Sequence, residues 1–169
     1  VSAVIAAGIV PAAMEVMDQL ITRAVENYVH AGYPTDAAAV LLAEVDGLPD
    51  GVDIDAEAIA TIARAHGATG VRVARDDNER ALLWKGRKSA FGAIAQIAPD
   101  YYLHDTVVPR ARLAEVLAQT YEIAARHDVI VMNVFHAGDG NLHPLLLFDA
   151  LVPGAIERVR IDPITLAAR

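Results

Sequence analysis

The chain has 169 residues, contains no cysteine and carries a formal net charge of -8. Its length suits one domain with a sizeable core, since 54% of its residues are hydrophobic. Without cysteine, disulfides, thiolate catalysis and cysteine-ligated zinc or iron–sulfur sites are excluded, and any metal ion must be bound by His, Asp or Glu. The acidic balance argues against nucleic acid or an anionic membrane as a partner, because both are bound through basic surfaces.

The apolar residues do not form a membrane span. No segment reaches the roughly 20 consecutive apolar residues that a span requires. The N-terminal stretch AVIAAGIVPAAM is interrupted by Gly8 and Pro11 and has no basic residue before it, which is not typical of a secretory signal. We therefore expect a soluble, cytoplasmic protein.

Four segments have apolar residues at the three-and-four spacing that indicates an amphipathic helix. They are residues 18–30, 55–66, 78–97 and 110–126. Asp18 is the expected N-cap of the first helix, and Asp53 or Asp55 begins the second. Gly67 ends the second helix and Pro99 ends the third, since glycine favours the left-handed C-terminal position and proline cannot continue a helix.

Five segments are predicted to be strands. The apolar run 36–47, closed by Asp-Gly, favours a buried strand, although its alanines leave a helix as an alternative. Residues 69–76 alternate as a half-buried strand does, and segments 101–109, 128–135 and 143–149 complete the set. The last two flank a tight turn as a hairpin, which does not fit a purely parallel sheet. We therefore predict an α+β fold with a mainly antiparallel sheet and helices packed on one face.

The stretch FHAGDGNLHP, residues 135–144, places a histidine on either side of a glycine-rich turn. If Asp139 and Gly140 are the central residues of that turn, His136 and His143 lie opposite each other, with Cβ atoms about 5 Å apart on the same face. Two imidazoles in this arrangement can share one divalent metal ion. The alternative is an ordinary hairpin with two half-buried histidines, because two ligands do not close a metal site.

The other residues of the turn suit contact with a bound molecule. Gly138 and Gly140 allow close approach of a cofactor or substrate and a positive φ. Asn141 lies on the same face as His143. We therefore expect Gly138 and Asn141 to contact the cofactor.

Several further polar residues have simpler explanations. Glu15 and Asp18 could be interpreted as paired acids, but capping explains Asp18, and we expect neither to be catalytic. His104 precedes Asp105, which could orient an imidazole base. We nevertheless expect His104 at a solvent-facing position on a strand.

The turn and its neighbours resemble a known family. VFHAGDGNLHPLLLFD is similar to the signature of the C-terminal domain of FAD-linked oxidases, closest to the glycolate oxidase flavoprotein subunit and to D-lactate and D-2-hydroxyglutarate dehydrogenases. The segments GIVPAAMEVMD, AGYPTDAAAVLLAEVDG, ERALLWKGRKSAF and PDYYLHDTVVPRARLAEVL resemble successive blocks of that domain in the same order. The resemblance covers residues 1–158 and leaves residues 159–169 as an atypical tail.

The resemblance implies a ferredoxin-like cap domain over a flavin that a separate FAD-binding domain holds. It implies oxidation of a small 2-hydroxy acid to a 2-oxo acid, with hydride transfer to FAD. His136 and His143 are implied as ligands of a divalent metal ion, commonly zinc, that acts as a Lewis acid. Arg87 is implied as the group that binds the substrate carboxylate, which its planar charged fork suits. A surface arginine on a helix is the alternative for Arg87.

Two blocks of the family are not matched. The chain has no phosphate-binding glycine loop, and it lacks the Gly-Glu-His-Gly block, whose glutamate completes the metal shell and whose histidine is a candidate base. We therefore expect a weak or incomplete metal site, no assigned catalytic base, and an isolated, truncated chain that is inactive. The alternatives are a stand-alone module that binds a metal or a small carboxylate, and an assembly domain that docks on flavoprotein or iron–sulfur subunits.

Overall fold

The computed structural model of the chain describes residues 1–160. The helices are α1 (Ser2–Ala6), α2 (Gln19–Val29), α3 (Pro49–Ala65), α4 (Asp77–Lys88), α5 (Ala90–Ile94), α6 (Leu113–Arg126) and α7 (Ala155–Val159). The strands are β1 (Ala13–Asp18), β2 (Ala39–Glu44), β3 (Asp100–Leu103), β4 (Thr106–Val107), β5 (Ile130–His136), β6 (Asn141–Leu142) and β7 (Pro144–Phe148). A short 3-10 helix, Arg110–Arg112, leads into α6.

All strand pairings among the described residues are antiparallel. The central strand β5 has β1 on one side and the arm formed by β6 and β7 on the other. Outside these, β2 pairs with β1, while β4 and β3 pair with β6 and β7. The predicted α+β fold with an antiparallel sheet is confirmed.

Helices cover both faces of the sheet, and the prediction of helices on one face is wrong in this respect. Met132 and Val134 of β5 belong to a core cluster with α2 and α5. Val131 and Phe135 of the same strand pack with α6. Because successive residues of a strand point to opposite faces, α6 lies across the sheet from α2 and α5. We call the face beneath α2 and α5 the front face.

Two predicted helices have different bounds in the structure. The second begins at Pro49 rather than at Asp53 or Asp55, because proline is well suited to the first helical turn. The third is divided at Ser89 into α4 and α5. The first begins as predicted behind Asp18, whose side chain accepts a hydrogen bond from the third residue of the helix region. Local capping was therefore a better guide to α2 than to α3.

Residues 69–76 do not form the predicted strand. The two valines of this segment are 36% and 49% exposed, and Arg72 donates a hydrogen bond to the carbonyl of Ala31 at 3.0 Å. The alternation therefore belongs to an irregular connection that is tied to the end of α2. The run 36–47, by contrast, contains β2, so the predicted strand is confirmed. The prediction that this strand is buried is wrong, since its residues are alternately exposed and half-buried.

The predicted strand at 101–109 is interrupted by His104 and Asp105, which separate β3 from β4. The prediction that His104 faces solvent is wrong, since the residue is only 7% exposed. Its imidazole packs edge-on to Tyr102, with ring centroids 5.0 Å apart. Burial lowers the pKa of His104, which favours its neutral form.

No helix within residues 1–160 is long and apolar enough to cross a membrane. The predicted boundary after residue 158 stays a prediction, because residues 161–169 of the atypical tail lie outside the described part of the chain.

Tyr33 attaches α4 to the segment that follows α2. Its ring is buried, and its hydroxyl donates a hydrogen bond to the carbonyl of Leu83. A Cβ placed on Gly86 would lie 2.4 Å from the Tyr33 ring, so only glycine allows this close approach. The contact positions α4, which carries Arg87, above the sheet.

Burial raises the pKa of Tyr33 to about 12, from the ordinary value of 10.0. Because the folded pKa is the higher one, the folded state holds the proton between these values, and the free energy of unfolding falls as the pH rises through that window. We expect Tyr33→Phe to lose less stability than the parent between pH 10 and about pH 12 in chemical denaturation. Tyr28→Phe, at an exposed tyrosine, should follow the parent. Equal losses in the parent and in Tyr33→Phe would contradict the prediction.

Candidate functional site

Polar side chains gather at one end of the front face, where β1 and β5 meet the arm formed by β6 and β7. They comprise two residues predicted as metal ligands, the predicted carboxylate-binding arginine, a glutamate and an asparagine: His136, His143, Arg87, Glu15 and Asn141. The hydrophobic core begins two residues away on the same strands, at Met17 and Val134. The cluster therefore lies at the border of the core. We call Arg87, Glu15, His136 and His143 the polar row.

Glu15 is the central member of the polar row and is 8% exposed. Its Oε2 accepts hydrogen bonds from Nε of Arg87 at 3.1 Å and from Nη2 at 2.8 Å. Its Oε1 lies 2.7 Å from Nδ1 of His136, the residue paired with Glu15 across β1 and β5. One buried carboxylate thus holds both a guanidinium and an imidazole.

Glu15 was not among the residues predicted for the site. The available signal was its position as a lone glutamate inside the otherwise apolar strand segment AMEVM, where a charged residue requires a partner. The partner itself could not be identified from local sequence.

The contact with Glu15 orients the imidazole of His136. In the neutral tautomer that donates from Nδ1 to this carboxylate, Nε2 has a free lone pair. The His136 side chain is 46% exposed, so a molecule bound at the site can approach the ring. This arrangement suits either proton acceptance or metal ligation by Nε2.

The imidazole of His143 lies edge-on to that of His136, with ring centroids 5.2 Å apart. Its side chain is 14% exposed, and its Nδ1 lies 3.7 Å from the Asp105 carboxylate, too far for a hydrogen bond. Burial lowers the pKa of His143. The neutral imidazole, which can bind a metal ion or accept a proton, is therefore favoured.

The predicted register of the hairpin is wrong, but the two imidazoles are neighbours as expected. His136 pairs with Asn141 rather than with His143, and the rest of the hairpin keeps that register. Residues 137–140 consequently form the loop. The difference of two residues leaves both side chains on the front face, because side-chain direction repeats every two residues along a strand.

The two glycines of the loop differ in whether the structure has room for a side chain at their positions. Gly140 has a φ of 73°, and a Cβ there would lie 2.2 Å from the carbonyl oxygen of Val108. Gly138 does not have a positive φ, so the expected positive φ is found at Gly140 alone. A Cβ on Gly138 would lie 3.7 Å from Met14, which is an ordinary van der Waals distance. The N–H of Gly138 donates to Met14 at 3.1 Å, and its carbonyl accepts from Arg110 at 2.9 Å. Gly138 therefore has no free N–H for a cofactor.

Gly140→Ala should lower the free energy of unfolding by about 2 to 4 kcal/mol, since it adds both left-handed strain and a collision with the main chain. Gly138→Ala is the matched control and should change it by less than about 1 kcal/mol. Chemical denaturation of both variants measures the difference. Equal losses would show that the loop does not have this geometry.

Two buried polar atoms in this region have no hydrogen-bond partner: Oδ1 of Asn141 and Nδ1 of His143. A buried polar atom without a partner costs about 1 to 3 kcal/mol, so such atoms call for an explanation by a ligand or an ordered water. Within residues 1–160, however, no group of three or more His, Cys, Asp or Glu side chains is placed to hold a metal ion. The two predicted histidine ligands are together, but the described residues do not complete a metal site around them.

Comparison with known proteins matches residues 1–161 to the family described as FAD linked oxidases, C-terminal domain. The chain is 50% identical over 155 residues to glycolate oxidase subunit GlcD of Escherichia coli, covering 92% of this chain and 31% of that protein. It is 40% identical over 159 residues to the same subunit of Bacillus subtilis, covering 94% and 34%. A probable mitochondrial D-lactate dehydrogenase of Danio rerio is 26% identical over 168 residues, covering 98% and 33%. The chain thus spans about a third of the length of these relatives.

Among solved structures, 4-ethylphenol oxidase from Gulosibacter chungangensis in its isoeugenol complex is similar, with a TM-score of 0.52 and 15% sequence identity. The match covers 90% of this chain and 36% of that chain. At this identity the likeness concerns the fold alone.

Proposed function

Because the chain belongs to the family of FAD linked oxidases, as their C-terminal domain, we propose that it forms the substrate side of an FAD-dependent oxidoreductase that converts a 2-hydroxy acid into a 2-oxo acid. The polar row is the observation that carries the proposal, because it offers a guanidinium for a carboxylate and two imidazoles for a hydroxyl group. Glycolate and D-lactate, which the names of the relatives indicate, are the first substrates to test.

Arg87 is the proposed contact for the substrate carboxylate. Its hydrogen bonds to Glu15 use Nε and Nη2, and a guanidinium has five N–H donors. The N–H groups of Nη1 are therefore available for a second carboxylate. The Arg87 side chain is 11% exposed, and a charge-assisted hydrogen bond is strong where little water competes. Since Glu15 already orients the guanidinium, substrate binding does not have to order it.

The imidazoles are the proposed contacts for the substrate hydroxyl. Oxidation of a 2-hydroxy acid removes a proton from the hydroxyl oxygen and a hydride from the carbon. The lone pair on Nε2 of His136 can accept the proton. FAD, held mainly by another domain, would supply the two-electron acceptor, and Gly138 and Asn141 are the proposed residues of this chain that face it. Asn141 can use its unpartnered Oδ1 for that contact.

A divalent metal ion, with zinc as the first candidate, is the alternative partner of the two imidazoles. The donor types fit, because His136 presents Nε2, His143 favours its neutral form, and Asn141 has a buried oxygen without a partner. A metal ion held there would act as a Lewis acid that lowers the pKa of the substrate hydroxyl. The described residues provide too few ligands for a closed site, so tight binding requires a ligand from elsewhere in the whole protein.

Metal analysis distinguishes these two roles of the imidazoles. Stoichiometric metal in the purified protein, lost in both His136→Ala and His143→Ala, would support the metal site. Full activity after chelation, with no metal detected, would instead support proton acceptance by His136. His127→Ala is the control, since His127 ends α6 just before β5 begins, whereas the loop follows the other end of that strand.

The function is tested by anaerobic reduction of the flavin in the flavin-bearing protein that contains this chain. Glycolate or D-lactate should bleach the flavin absorbance, whereas 1,2-propanediol, which has a hydroxyl but no carboxylate, should not. Arg87→Lys should lower kcat/KM by about a hundredfold or more, because lysine cannot reproduce the guanidinium fork.

Arg80→Lys is the matched control for Arg87→Lys. Arg80 lies on the same helix, but it pairs with Glu44 at the surface. Equal bleaching by the acids and the diol, or an Arg87 variant as active as the control, would contradict the proposed function.

A further inference from the structure

The loop at 137–140 is held from outside by the segment that precedes α6. The N–H of Val108 donates to the carbonyl of Gly140 at 2.9 Å, and Nη1 of Arg110 donates to the carbonyl of Gly138 at 2.9 Å. The aliphatic stem of Arg110 also reaches the loop, since its Cγ would lie 3.7 Å from a Cβ on Gly140. On the opposite side, the N–H of Gly138 donates to the carbonyl of Met14 in β1. The loop is therefore fixed between β1 and Arg110.

Arg110 is the one residue in the described part of the chain whose side chain hydrogen-bonds to residues 137–140. It makes no hydrogen bond or ion pair with the polar row, so it can affect the row only through the loop. The loop joins His136 to Asn141, and His143 follows two residues later. A shift of the loop would therefore act directly on the two strand ends that carry the imidazoles.

The loop needs such an external contact for a physical reason. Two of its four residues are glycines, which lose more conformational entropy on ordering than other residues do. Its third residue, Asp139, is exposed. A charged donor that binds a loop carbonyl restricts this freedom without entering the site.

We propose that Arg110 is a positioning residue of the site, which fixes the loop so that His136 and His143 keep their edge-on arrangement. The catalytic consequence rests on the proposed function, whereas the effect on the loop does not. Arg110 would act like the supporting residues that hold catalytic groups within a fraction of an ångström of their working geometry.

Three variants test the proposal. Arg110→Met keeps the aliphatic stem and removes the donors, and Arg110→Lys restores a charged donor. Arg112→Met is the matched control, because Arg112 lies two residues along and hydrogen-bonds to Glu115 rather than to the loop. Each variant is compared by amide hydrogen exchange at Asp139 and Gly140, by the NMR signals of the two imidazoles, and by kcat and KM for glycolate in the flavin-bearing protein.

We expect Arg110→Met to speed exchange of the loop amides about tenfold, the effect of losing one hydrogen bond from a charged group. It should shift both imidazole signals and lower kcat by about tenfold to a hundredfold, because small misplacements of reacting groups are costly. Arg110→Lys should recover most of the loss, and Arg112→Met should match the parent.

Unchanged exchange in Arg110→Met, or an equal effect of Arg112→Met, would overturn the proposal. Faster exchange with unchanged imidazole signals and kcat would also overturn it, since the loop would then not position the site. If the flavin-bearing protein oxidises no 2-hydroxy acid, the proposed function fails. Shifts of exchange and of the imidazole signals specific to Arg110→Met would still support the positioning role in that case.

Discussion

Glu15→Ala is expected to lower the free energy of unfolding by about 3 to 5 kcal/mol, because it leaves the charge of Arg87 buried without its partner. Arg87 is only 9% exposed, so water cannot replace the two hydrogen bonds that Glu15 accepts. The same substitution removes the acceptor next to Nδ1 of His136. Chemical denaturation of the parent and the variant measures the loss.

A second Arg–Glu pair provides a matched control. Glu44 of β2 lies 2.9 Å from Arg80 of α4, so this pair also joins the sheet to α4, but the arginine side chain is 55% exposed. Glu44→Ala should therefore cost less than about 1 kcal/mol. If Glu15→Ala costs no more than Glu44→Ala, the buried ion pair does not contribute as described.

The double variant Glu15→Ala with Arg87→Met distinguishes two contributions to the loss of stability. One is the lost attraction between the side chains, and the other is the cost of a buried charge without a partner. With both charges gone, the unpaired guanidinium no longer destabilises the folded state. We expect the double variant to be more stable than Glu15→Ala alone. Such non-additivity is the sign of a direct interaction between the two side chains.

The buried ion pair of Glu15 and Arg87 has a role other than stability. Replacing a buried ion pair by apolar residues is often neutral or stabilising, so such a pair is weak evidence of a role in stability. In this chain the Glu15 carboxylate orients Arg87 and contacts Nδ1 of His136 at the same time. We therefore interpret Glu15 as the residue that sets the geometry of the polar row.

Sequence patterns predicted the elements that depend on local interactions. The helix behind Asp18 follows from apolar spacing and capping, and α6 follows from apolar spacing alone. Both signals operate within a few residues. Residues 69–76 show the limit of this approach. Alternation alone does not make a strand when no neighbouring strand pairs with the segment.

The site was predicted only in part, because some of its geometry depends on local sequence and the rest on contacts between distant residues. The placement of His136 and His143 on one face of a hairpin follows from the turn signal in the motif. The register does not, because Arg110 and Val108, remote in sequence, also hold the loop. Glu15 could not be assigned a role from local sequence, since it lies 72 residues from Arg87 and 121 residues from its histidine partner.

Asp18→Ala has the second large expected effect, a loss of about 4 kcal/mol at neutral pH. Oδ1 of Asp18 caps α2 by accepting from the N–H of Ile21 at 3.0 Å. Oδ2 accepts from the hydroxyl of Tyr121 at 2.8 Å and from the N–H of Asn133 at 2.6 Å. The substitution removes the N-cap, worth about 1 kcal/mol, and leaves buried donors unpaired at about 1 to 3 kcal/mol each.

Tyr121→Phe is the control for Asp18→Ala, because it removes one of these hydrogen bonds and leaves the carboxylate in place. It should cost about 1 kcal/mol. A loss in Asp18→Ala no greater than in Tyr121→Phe would show that Asp18 does not join α2, α6 and β5.

The pH dependence of the Asp18→Ala loss tests whether burial or hydrogen bonding dominates at this carboxyl group. Burial raises the pKa of Asp18 above its ordinary value of 3.8, although hydrogen bonds from Ile21, Tyr121 and Asn133 act in the opposite direction. Because the folded pKa is the higher one, the folded state retains the proton longer, and the stabilisation by Asp18 decreases as the pH rises through the window between the two values. The loss in Asp18→Ala should therefore be greatest below pH 3.8 and smaller, but constant, above the folded pKa. A loss that grows with rising pH through this window would mean that the hydrogen bonds outweigh the cost of burying the charge.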